Sequence, residues 1–240
     1  MAVVTSYMLF RWFDTLAEMC QAVNRRLKSI REGSRVAQYF QLVAGHVALD
    51  FANTLDWRFD PTRRIDLLSN YEQLLDFATQ AAVLSTNQSR RLRARTTDQD
   101  ARRIVREAIA LREVIDSLFR SIATESSPRG DQLKKFNRFL RDLRLPSYIG
   151  RRGSEFVLLA GDVSARSDGP LWPIVDAAVS LLTSAERARV RECGEPSCRW
   201  LFLDTTKNQS RRWCSMKICG NRSKAARFRA RQHGDPTSNM

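Results

Sequence analysis

Four cysteines stand in two short pairs, Cys193-x4-Cys198 and Cys214-x4-Cys219, with fifteen residues between the pairs. Thiolates at this spacing suit a tetrahedral Zn²⁺ ion, which takes sulfur at ~2.3 Å from two chelating turns that face one another. Gly194 and Pro196 bend the first turn, and Gly220 after Cys219 lets the backbone approach the second. Four sulfurs would fill every coordination position and leave none for a catalytic water. Two disulfides would use the same residues, and oxidant-driven metal release is a third use of them; a reducing compartment favours the metal. In so small a module the metal supplies much of the folding free energy, with Trp200, Phe202, Trp213 and Phe228 expected around it. Cys20 lies far outside the pattern and reads as a buried apolar residue.

Cations cluster behind the second pair. Residues 205–232 hold nine Lys and Arg and no acid, and the stretch 220–232 has no Pro, so a basic helix is predicted there with Asn221 or Ser223 as N-cap. A merely solvated helix mixes Glu with its Arg, so this composition favours phosphate binding. The candidate nucleic-acid residues are Arg211, Arg212, Lys217, Arg222, Lys224, Arg227, Arg229 and Arg231. Four thiolates on Zn²⁺ carry a formal charge of about −2. Arg199, Arg212, Lys217 and Arg222 are therefore also placed to neutralise the cluster, and Arg227, Arg229 and Arg231 are the stronger phosphate candidates. Nucleic acid is the expected partner, with DNA and RNA both open at this point and a protein partner as the alternative.

The formal charge of the 240-residue chain is +14, and residues 191–240 hold eleven cations against four acids, half of that excess. A charge of this size selects polyanions as partners. No apolar run approaches the ~18 residues of a membrane span, and no secretory cleavage pattern follows Met1–Phe10, so a cytoplasmic protein without membrane attachment is expected.

The elements that must position these residues read as α+β: a mostly helical N-terminal domain with a small β-sheet, then the four-cysteine zinc module and its C-terminal helix. Residues 1–38 form an extension, with helical spacing over roughly 5–30; 39–190 form the main domain; 191–233 form the finger; 234–240 form a disordered tail. The apolar run 40–49 reads as a short strand. Asp66 or Ser69 is placed to cap a helix through Leu74 and Phe77, and one long helix is predicted from Asn87 to about Thr124. Asp131 starts another, ending before Pro146; Tyr148–Gly150 and Glu155–Leu159 read as a hairpin; Trp172 opens a helix to about Val190. Trp200–Asp204 alternates like a strand, and a hairpin turn at Lys207–Gln209 would carry the second cysteine pair back to the first.

A small-molecule pocket is a second candidate site, lined by Asp50, Asn53 and Trp57 with His46 nearby; the alternative is that these polar groups cap helices or satisfy buried backbone. The chain has two histidines, His46 and His233, and neither a Gly-rich phosphate loop nor a nucleophile–base pair, so no enzymatic activity is expected.

The tetrapeptide Cys219-Gly220-Asn221-Arg222, with Trp200–Asp204, Arg211–Met216 and Lys224, resembles the CGNR zinc finger. Leu49–Thr54 through the Trp172-Pro173 helix resembles the ABATE domain that precedes that finger, so the likeness spans 40–232. The resemblance implies a bacterial DNA-binding transcription regulator of the stress-induced class, with the finger on DNA and the larger domain as sensor. It also implies zinc on Cys193, Cys198, Cys214 and Cys219.

Overall fold

The computed structural model describes residues 40–143 and 147–232, without the side chains of Ala230 and Arg231. The predicted N-terminal helix, Cys20, His233 and the tail from 234 lie outside the described residues.

Gly45, at φ +78°, reverses the chain into α1 (Val47–Ala52). A strand was the expectation for 40–49. The helix forms instead because His46 Nδ1 accepts the Ala48 N–H at 3.3 Å and satisfies a first-turn amide. A two-residue antiparallel ladder follows, β1 (Leu55–Asp56) with β2 (Ile65–Asp66). α2 (Tyr71–Gln80) is capped by Asn70, while Asp66 receives Arg112 instead of capping. The single helix expected over 87–124 is two, α3 (Thr86–Arg95) and α4 (Asp98–Ala123). The break falls at Thr96 and Thr97, both extended, and the Thr97 hydroxyl caps the Asp100 amide.

α5 (Gly130–Asp142) leads into β3 (Ser147–Arg152) and β4 (Glu155–Ala160), an antiparallel hairpin closed by the Arg152–Glu155 pair. α6 (Trp172–Thr183) ends seven residues before the expected Val190. Ser184 is extended and its hydroxyl caps a 3₁₀ turn over Ala185–Arg189, which feeds β5 (Val190–Glu192). β6 (Leu201–Leu203) pairs antiparallel with β5, and a π-turn over Met216–Gly220 opens α7 (Asn221–Gln232). The described fold is mostly helical α+β, with its strands in three separate two-stranded ribbons.

α4 is the spine of the core. Ile104, Ala108, Leu111, Ile115, Leu118 and Phe119 recur at three- and four-residue spacing and are fully buried against α1, α2 and the β5–β6 ribbon. On the same stripe Arg112 is buried, held by both oxygens of Asp66 at 2.6 and 2.8 Å. β6 does not alternate: Leu201, Phe202 and Leu203 are all buried, so this strand belongs to the core of the helical body.

The buried cap His46 makes the fold acid-sensitive. Burial lowers its pKa from 6.5 to about 4, so between those values the unfolded chain binds a proton that the folded chain does not. This contribution to stability is complete above pH 6.5 and is lost as the pH falls toward 4; it amounts to about 2 kcal/mol by pH 5. Urea unfolding at pH 7.5 and 5 should show that loss, and a His46→Asn chain, which keeps a capping oxygen, should show less of it.

Candidate metal centre and nucleic-acid surface

The β5–β6 ribbon builds the first half of the centre. Cys193 donates its amide to the Trp200 carbonyl at 2.8 Å, one step beyond the last ladder pair, so Cys193 and Cys198 occupy the ribbon's own connecting loop. The Glu195 carbonyl accepts the amides of Cys198 and Arg199, and Arg199 closes the turn at φ +54°. The strand at 200–204 thus pairs backward onto 190–192, and not forward onto 210–213 as the sequence suggested.

A loop brings the second pair across. Asp204, fully buried, accepts the amide and hydroxyl of Thr206 and the amide of Arg211, which ties 204–211 into a closed turn. Burial alone would raise the Asp204 carboxyl; the Thr206 and Arg211 donors outweigh it and hold its pKa below the usual range. Gly194 donates to the Arg212 carbonyl at 2.8 Å, and a Cβ there would press on that oxygen and on the Trp213 ring, each at 3.2 Å. The Ser215 carbonyl accepts the amides of Cys219 and Gly220. A Cβ at Gly220 would lie 2.3 Å from the Met216 sulfur and 3.1 Å from the Trp213 ring, so the half-exposed Met216 side chain would have to move aside.

All four cysteines are buried and their Sγ atoms lie within 4.8 Å of one another, with Cys198–Cys214 at 3.7 Å and Cys214–Cys219 at 3.6 Å. Disulfide sulfurs sit at about 2.0 Å. Sulfurs placed tetrahedrally at ~2.3 Å from one ion are about 3.8 Å apart. The donor set therefore fits a metal ion and not a pair of disulfides. The thiols also perturb one another. Cys198, then Cys214 and Cys219, hold Cys193 well below a free thiol, while Cys193 first of all pushes Cys198 and Cys214 far above it. Cys193 pushes Cys219 up, but Cys198 and Cys214 together hold it low. Four sulfurs so close cannot all ionise alone; a central dication removes the conflict.

The candidate nucleic-acid residues divide. Arg211 spans the loop, donating to the carbonyls of Trp213, Val43 and Cys214 and stacking 4.6 Å over Phe202. Arg222 is half-buried over Trp57 at 4.8 Å and reaches Ser197 Oγ. Both are committed to the architecture. Arg212 and Lys217 are exposed beside the cysteine turns. Lys224, Arg227 and Arg229 are exposed on α7, where every side chain from 224 to 229 is exposed; Arg231 lies on the same helix. Phe228, expected against the metal, is 62% exposed, because α7 leaves the body after its first turn, where Arg222 rests on Trp57. Asn221 does not cap α7 either; its side-chain amide donates back to the Lys217 carbonyl.

Comparison with family models gives two matches: residues 45–185 match ABATE, described as "Putative stress-induced transcription regulator", and residues 189–232 match the CGNR zinc finger. The first covers more than half of the chain. The chain belongs to the ABATE family. No curated protein gives a significant match.

The ABATE region holds the CGNR region through polar contacts. Asn53 donates to the Leu201 carbonyl at 2.8 Å and accepts the Leu201 amide at 3.0 Å, and Leu203 donates to the Ala44 carbonyl. Asp50 accepts the Ala44 amide. Trp57, at φ +50°, is clasped between Arg63 at 3.3 Å and Arg222. Asp50 and Asn53 are thus bonded to buried backbone, the alternative that the sequence left open, and Trp57 is stacked on two guanidinium groups.

An open cleft of about 620 Å³ runs between α4, the β1–β2 loop and Arg199, with Arg58, Phe59, Arg64, Asp116 and Arg120 on its walls. Arg120 bonds Asp116, Glu192 and the Arg199 carbonyl, and both Arg120 and Arg199 lie over the Phe59 ring. The sequence held one signal for this joint: Asp116 and Arg120, four residues apart, beside the apolar stripe of α4.

Proposed function

We propose that this chain is a zinc-dependent DNA-binding transcription regulator of the bacterial cytoplasm, without enzymatic activity. In this reading Cys193, Cys198, Cys214 and Cys219 hold Zn²⁺, which supplies charge neutralisation and crosslinking of the finger, and α7 contacts DNA. Residues 39–190 act as the sensing body and 191–233 as the finger. The observation that carries the reading is α7: Lys224, Arg227 and Arg229 stand exposed on the part of the helix beyond its first turn, and the helix holds no acid. Arg suits phosphate and guanine through paired N–H donors. In this reading a small effector would enter the open cleft at Arg58, Arg64 and Arg120, where occupancy would act on contacts that hold the finger.

Titrating the zinc-loaded chain with duplex DNA across salt concentrations tests this. Arg227→Gln with Arg229→Gln should weaken binding by roughly tenfold and flatten the log K–log salt slope by about 2, with zinc content unchanged. Unchanged affinity and slope would remove α7 from the interface.

One observation favours a second reading. Phe228 is exposed among cations, the arrangement that stacks unpaired bases, so single-stranded RNA or DNA is the alternative ligand. Phe228→Ala would then cost about 1–3 kcal/mol on a single strand and spare the duplex.

A further inference from the structure

The positive charge of this chain sits in two places. Residues 191–240 carry a net +7; residues 129–155 hold eight cations against three acids, a net +5, which leaves +2 for all the rest. The second concentration falls on the ABATE domain, in α5 and the β3–β4 ribbon. Lys134, Arg138 and Arg141 recur at i, i+4 and i+7 and are exposed, opposite the buried Phe136 and Phe139. They form one stripe about 10 Å long, some three phosphate steps of a nucleic-acid strand.

Elsewhere on the domain several exposed arginines meet carboxylates: Arg91 with Asp162, Arg93 with Glu72 and Asp76, Arg103 with Asp100 and Glu107. Lys134, Arg138, Arg141, Arg151 and Arg152 form no ion pair among the described residues. The ribbon begins five residues after α5 ends, a reach of at most about 18 Å. Alternation along its strands puts Ile149, Arg151, Phe156 and Leu158 on one face, with Ile149 67% and Phe156 75% exposed and Arg151 stacked over Phe156. A two-stranded ribbon is narrow enough to enter a major groove, and an apolar side chain flanked by Arg suits contact with bases and sugars.

We propose that α5 and the β3–β4 ribbon form a second nucleic-acid surface, on the ABATE domain itself, that grips the phosphate backbone of duplex DNA. The proposal rests on the DNA-binding reading and adds to it: the domain supplies part of the grip, so duplex affinity depends on cations 69 to 87 residues before the start of α7.

The test uses the full zinc-loaded chain and a DNA duplex, with the salt slope as readout. The triple variant Lys134→Gln, Arg138→Gln, Arg141→Gln should flatten the slope by about 2.7, and Arg151→Gln with Arg152→Gln by about 1.8. Neutralising Arg90, Arg102 and Arg106, equally exposed and without ion pairs among the described residues, should leave it unchanged. Amide exchange in the unmutated chain should slow over 147–160 when DNA is added, a result that depends on no variant folding. A wild-type slope in both variants, an equal loss in the control, or no protection of 147–160 would overturn the proposal. If only the α7 variants lose affinity, the proposal fails and the regulator reading stands; if the unmutated chain ignores duplex DNA, both fail. Loss of sedimentation with phosphatidylserine vesicles, with DNA binding intact, would assign the surface to lipid and overturn it too.

Discussion

Stripping the metal with a chelator is expected to lower the melting temperature of the whole chain in a single transition, and not to melt a separate finger. The four sulfurs are buried within 4.8 Å of one another, and without a cation their thiolates repel at that distance. Structural zinc sites of this kind bind with apparent free energies of about 10–16 kcal/mol, comparable to the stability of an entire domain. What spreads the loss is β6. Leu201, Phe202 and Leu203 are buried in the same core as α1 and α4, each worth roughly 1.5–3 kcal/mol when covered. The Asn53–Leu201 pair and the Leu203–Ala44 bond tie that strand to the helical body. The cysteine loop grows directly out of β5 and β6, so a finger that opens pulls at the core. Calorimetry with and without chelator decides the matter, and Cys214→Ser should reproduce the metal-free trace. A low-temperature transition confined to the finger, with the remaining melt unmoved, would show two independent units.

The metal centre was legible in the sequence because everything it needs is local: two cysteine pairs, glycines beside them and a loop long enough to bring them together. The β3–β4 hairpin and the stripe of α4 were legible for the same reason, since their periodicities are complete within their own residues. What failed depended on partners far along the chain or on one local contest. Asn53 could be read as a pocket residue or as a partner for buried backbone, and the backbone it bonds, Leu201, lies 148 positions away. Phe228 looked like core because aromatic residues in small modules usually are, yet nothing local states that α7 leaves the body. The run 40–49 had strand composition, and one imidazole nitrogen on the Ala48 amide turned part of it into helix. Threonine at 97 divided a helix that apolar spacing alone would have continued.

Arg120→Met is expected to be the most damaging single substitution at the joint between the two family regions, costing about 3–5 kcal/mol in urea unfolding, the usual penalty for removing one partner of a buried ion pair. Arg120 is mostly buried, and its guanidinium meets Asp116 at 2.6 Å, Glu192 at 2.5 Å and the Arg199 carbonyl at 3.2 Å. Burial acts against its charge, and the carboxylates of Asp116 and Glu192 more than compensate, so its pKa stays above the ordinary value. Methionine fills a similar volume and removes every donor. Asp116 keeps only Arg58, and Glu192 keeps only Arg199. The cost should therefore come from stranded carboxylates and not from lost packing. Adding Asp116→Asn to Arg120→Met should recover part of the stability, because one of the two carboxylates that lost a cation is gone. A double variant as unstable as the sum of the two single ones would show that Arg120 acts through its alkyl chain and its place over Phe59.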